Sequence, residues 1–168
     1  TGVTSFGNID TLNGTGSLTG LGVAGTWATS GANAGSYATT VGGNTLTHSG
    51  FSTWQGGSGD DTFNLGHNVG TVNGGDGVNA FNVNASITSN LAGGTGNDTF
   101  TIGGGFALSG TVNGGAGGTD TLSGVSDATL TAEAATNEFN GTATGVTSFG
   151  NIDTLNGTGS LTGLGVAG

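Results

Sequence analysis

The sequence contains no lysine, arginine, cysteine, proline or methionine. Without a cationic side chain it cannot neutralise phosphates by ion pairing, which excludes nucleic acid and an anionic membrane surface as expected partners. It also removes the group that a lyase acting on acidic sugars needs to stabilise an enolate-like intermediate. Without cysteine there are no disulfides and no thiolate metal sites. No apolar run approaches the ~20 residues of a membrane-spanning helix. An initiator methionine and a signal peptide are missing too, which suits a processed or excerpted chain. Charged residues make up only 6% of the chain, and all 10 are acidic, for a net charge of −10.

Glycine is abundant instead, at 40 of 168 residues. That abundance would suit disorder, but hydrophobic residues still make up 32% and the charge density is low. The apolar residues fall in short alternating runs, so the expectation is an all-β fold.

Two scales of repetition organise these runs. Residues 1–25 recur letter for letter as residues 144–168, an offset of 143. This predicts a tandem array, with residues 1–143 as one repeat unit and 144–168 as the start of the next, continuous with it. Inside the period, four Gly-Gly turns begin at Gly56-Gly57, Gly74-Gly75, Gly93-Gly94 and Gly114-Gly115, at spacings of 18, 19 and 21 residues. Gly59, Gly77 and Gly96 follow in the first three turns. Each turn leads into a run rich in Thr, Phe, Val and Ile with period 2, the pattern of a strand with one buried face.

Turn, strand and return after ~18–21 residues predict a single-stranded parallel β-solenoid. Phe63, Phe81, Phe100 and Leu122 would form one internal ladder, with the glycines as its corners. Seven or eight stacked coils at about 4.8 Å each predict a period roughly 35 Å long. Residues Trp27 to Trp54 are the least regular stretch, and Ala128 to Ala135 leans weakly towards a helix, with strand preferred because of Thr129 and Thr131.

The segments Gly56–Asn64 and Gly93–Thr101 match the nonapeptide GGxGxDxUx, where U is a large apolar residue. They resemble the calcium-binding β-roll turns of repeats-in-toxin (RTX) proteins, and the wider arrangement resembles the β-strand-repeat arrays of giant bacterial surface proteins and adhesins. The resemblance implies calcium held at a corner by Asp61 and Asp98, with Asp120 displaced by one inserted residue. Asp60 and Asn79 belong to the same corner, Asn79 standing where the motif has Asp. The other corners, near Gly66-His67-Asn68 and Ser89-Asn90, lack the motif, so only one edge is expected to hold metal. A metal-free corner, in which Asp and Asn bond the turn backbone, is the competing expectation.

Ten acidic residues offer nominal glycosidase pairs such as Asp60 with Asp76, but no nucleophile motif or phosphate loop is present. His48 and His67 lie 19 residues apart and are expected on the solvent face. The chain is therefore expected to be no enzyme. It reads as a structural repeat of a secreted bacterial filament or giant surface protein, extracellular or at the cell surface, whose partner is itself. The alternative is a ligand- or glycan-binding adhesin repeat, for which exposed Trp27, Trp54 or Tyr37 would supply aromatic platforms.

Overall fold

The structure is a computed structural model describing residues 7–135 and 137–165, and it is all-β, with no helix among those residues. The outermost positions of the two 25-residue copies, 1–6 and 166–168, lie outside the described residues, as does 136.

The strands are β1 (Thr11–Thr19), β2 (Gly25–Gly31), β3 (Ala34–Thr39), β4 (Thr45–Gly57), β5 (Thr62–Leu65), β6 (Thr71–Gly75) and β7 (Ala80–Val83). They continue with β8 (Asn90–Gly94), β9 (Thr99–Ile102), β10 (Leu108–Gly115), β11 (Thr121–Glu133), β12 (Phe139–Thr144), β13 (Val146–Ile152) and β14 (Thr154–Thr162). Of the stretch with helical leaning, Ala128 to Glu133 lies in the second half of β11, and Ala134 and Ala135 lie beyond its end.

All fourteen join one mixed sheet, whose pairings sort into two runs. The first passes from the start of β1 to the start of β4, then β3, β2, β5, β7, β9, and the starts of β11 and β14. The second passes from the end of β1 to the end of β4, then β6, β8, β10, β13, β12, and the ends of β11 and β14. Each run takes eight steps from β1 to β14. The long strands β1, β4, β11 and β14 belong to both runs, and register shifts carry β1–β4 and β11–β14 from one run to the other.

The expectation of uniformly parallel strands is corrected here. β3 runs antiparallel between β2 and β4, and β12 runs antiparallel between β11 and β13. The reversals occur at residues able to take positive φ: Asn33 (52°), Gly42 and Gly43 (88° and 64°), Asn137 (66°) and Gly145 (110°). One returning strand thus enters each run. The 18–21-residue spacing holds only between them: Phe63 pairs with Phe81 and Phe81 with Phe100, but Trp27 pairs with Phe63 and Leu122 with Leu155 across the longer intervals that contain the hairpins.

Between the runs lies one apolar core. Trp27, Phe63, Phe81, Phe100 and Leu122 stand in register at successive strands and are fully buried. Their rings stack: Trp27–Phe63 centroids are 5.9 Å apart, Phe63–Phe81 4.9 Å and Phe81–Phe100 4.6 Å, with interplanar angles of 15°, 11° and 14°. Parallel register forces this offset stacking, since each Cβ lies one strand spacing above the last. Leu65, Val83 and Ile102 form a second buried column.

Candidate functional site

The Gly-Gly turns stack at the corner between β4 and β5, β6 and β7, β8 and β9, and β10 and β11. Gly57, Gly75, Gly94 and Gly115 all have positive φ, and a Cβ on any of the last three would strike the carbonyl of the glycine one strand below. Gly56, Gly74, Gly93 and Gly114 face inward, and a Cβ there would strike the side chain of Asp61, Asn79, Asp98 and Asp120 respectively. Glycine thus leaves the space that each inward carboxylate or amide fills. Gly59, Gly77 and Gly96 complete the turns, the last two also with positive φ.

Asp61, Asn79, Asp98 and Asp120 form a buried column, each 1–2% exposed. Every member above Asp61 accepts the backbone N–H of the equivalent residue one strand below. The Asp61 N–H donates to Asn79 Oδ1 (2.9 Å), Asn79 N–H to Asp98 Oδ1 (2.8 Å), Asp98 N–H to Asp120 Oδ1 (2.8 Å), and Asp120 N–H to Asp153 Oδ2 (2.7 Å). Asp153 extends the column across the longer interval, where no Gly-Gly motif marked it in the sequence; its signal was the Asn-Ile-Asp-Thr-Leu context before a strand.

Asp61 sits at the base of the column, and neither of its oxygens has a hydrogen-bond partner. Burial pushes its carboxyl up to about 6; the neighbouring Asp60 charge adds to the rise, and the Gly25 amide, near but not in hydrogen-bonding geometry, opposes it. Burial also lifts Asp120 to about 6, opposed by the Asp98 amide and reinforced by the charges of Asp98, Asp153 and Glu138. Asp98 is raised as well, by burial, with Asn79 partly offsetting it.

Asp98 and Asp120 each commit one oxygen to a backbone amide, Asn79 separates Asp61 from Asp98, and no three His, Cys, Asp or Glu side chains gather around one point among the described residues. The bare oxygens of Asp61 would accept a proton or a cation, but the column does not bring a second carboxylate beside them. Among the described residues, the carboxylates alone supply no cage for an ion shared between turns.

Asp60 and Asp76 do not face each other across a cleft. Asp60 accepts the Val78 N–H (2.7 Å) and Asp76 accepts the Thr95 hydroxyl (2.7 Å), each tying one turn to the next. His67 is exposed, but His48 is 1% exposed and packs edge-on to Trp54, with ring centroids 4.7 Å apart. The expectation of a solvent-facing His48 is therefore corrected: it follows Leu46 at period 2 and points into the core. Burial lowers its pKa, so it is neutral at pH 7. The two histidines form no metal pair. Trp27 and Trp54 are fully buried and Tyr37 is 7% exposed.

Compared with known proteins, the chain matches no protein-family model, no curated protein and no solved structure.

Proposed function

We propose that the chain is a structural repeat, folded as a β-solenoid, of a secreted bacterial filament or giant surface protein. The observation that carries this reading is the equality of the two strand runs. Each takes eight steps from β1 to β14, and both ends are formed by the same nine-residue sequence, TLNGTGSLT. A body with equal runs and like ends can be extended along its axis without distorting either run. Neither copy of TLNGTGSLT carries the lysine or proline that blunts a strand edge.

The mechanism is mechanical. Ladder hydrogen bonds run along the axis, aromatic and aliphatic columns fill the interior, and the Asp/Asn column ties successive corners. At the corners Asp60, Asn79 and Asp98 accept backbone amides of the neighbouring turn and Asp76 accepts the Thr95 hydroxyl, which supports structure over catalysis. Burial of Trp27, Trp54 and Tyr37 removes the aromatic platforms on which the glycan-binding alternative rests.

Immunogold electron microscopy of the producing cells, with antibody raised against this chain, tests the reading. Label along continuous extracellular filaments supports it. Label confined to the cell interior or to discrete particles overturns it.

A further inference from the structure

The identical segments β1 and β14 use opposite edges. In the first copy the Asp10 carbonyl accepts the Thr47 N–H of β4 (2.9 Å). In the second, the N–H of Thr154, the equivalent of Thr11, donates to the Asp120 carbonyl below β11 (2.9 Å). The two ladders consume different backbone groups of one sequence. The side chains divide in the same way: Asn13 Oδ1 accepts the Ser49 hydroxyl (2.6 Å), while its equivalent Asn156 donates from Nδ2 to Ser123 Oγ (3.5 Å).

The neighbours match as well. β4 reads THSGFSTWQ over residues 47–55 and β11 reads TLSGVSDAT over residues 121–129; both align with TLNGTGSLT at its first three and last two positions and shift register between them, Phe51 lying opposite Gly16 and Val125 opposite Gly157, the equivalent of Gly14. Thr11 lies opposite Thr47, and Thr154 opposite Thr121. Leu18 lies against Trp54, and its equivalent Leu161, 63% exposed, lies against Ala128 with its other side open.

Resting on the proposed repeat, we infer that one copy of this strand serves two units at once. Its β11-type edge binds the preceding unit and its β4-type edge binds the following one. The interaction surface is thus the β4 edge, and its partner is the β14 strand of a second copy of this unit. The shared asparagine bridges Ser123 of one unit to Ser49 of the next, and Leu161 is covered by Trp54 of the next. No linker separates the units, and both strand runs pass through the junction.

The test uses a chain in which residues 1–143 precede the full 168-residue sequence. The protein has no cysteine, so introduced thiols are the only ones. Thr121→Cys and Thr154→Cys in the first unit probe the β11 edge of the junction strand. Thr162→Cys in the same strand, with Gln55→Cys in the second unit, probes its β4 edge. Paired positions on adjacent strands fall within disulfide reach. Mass spectrometry after mild oxidation should find both crosslinks in the same molecule. Crosslinks that exclude one another would overturn the shared strand while leaving a structural repeat of separate beads. Failure of the 121–154 crosslink in the 168-residue chain itself would overturn the end geometry on which both rest.

Discussion

The Asp61 backbone amide donates to the Asn79 side chain one strand above it, while the Asp61 side chain has no hydrogen-bond partner. This asymmetry leaves a buried carboxyl at the base of the column and sets its response to pH. With its pKa raised from 3.8 to about 6, the folded protein binds more protons than the unfolded chain between those values. The stability from this group is complete below pH 3.8 and is lost as pH rises through 6. Asp120 acts in the same direction. Thermal melts should therefore show a higher Tm at pH 4.5 than at pH 7.5. A Tm that rises from pH 4.5 to 7.5 contradicts the account.

Asn79 occupies the next position of the same column, so the fold accommodates the amide there. Asp61→Asn should raise stability at pH 7.5 by about 1–3 kcal/mol and weaken the pH dependence, leaving the part due to Asp120. If calcium holds the corner instead, chelator will lower the Tm of the parent protein at pH 7.5 and Asp61→Asn will abolish that response. Urea unfolding with and without calcium separates the two outcomes.

Phe81 stacks on both Phe63 and Phe100, with no solvent contact. Phe81→Ala should cost about 3–5 kcal/mol, since stacked strands on either side cannot close the gap. Phe106, 41% exposed, gives the comparison: Phe106→Ala should change stability by less than ~1 kcal/mol. Equal losses would mean that the Phe column is not the core.

Gly94 has φ of +116°, and a Cβ there would run into the Gly75 carbonyl. Gly94→Ala should cost at least ~3 kcal/mol from backbone strain and overpacking together. At Gly104, outside the positive-φ region, nothing lies within 4 Å of the added carbon. Gly104→Ala should be nearly neutral, and denaturant midpoints of the two variants give the contrast.

The columns were legible in the sequence where period-2 alternation followed each Gly-Gly turn, because parallel strands of near-equal spacing bring like positions into line. The hairpins were not. Gly42-Gly43 looks locally like a corner, and its positive φ values are those that corner glycines also take; a turn residue reports backbone sign, not whether the chain returns antiparallel. The inward Asp column was legible as a motif, but its bonding was not, since each acceptor lies one strand from its donor. His48 could have been placed in the core from its spacing to Leu46, had the alternation outweighed its polarity.

The central claim is that the 143-residue unit extends as a continuous two-run stack. Cryo-electron microscopy or fibre diffraction of the native polymer measures this directly. Eight strand steps per unit in both runs, at about 4.8 Å each, predict an axial repeat near 38 Å with a strong 4.8 Å reflection along the axis. Discrete particles, or filaments whose 4.8 Å spacing lies across the axis, would contradict it.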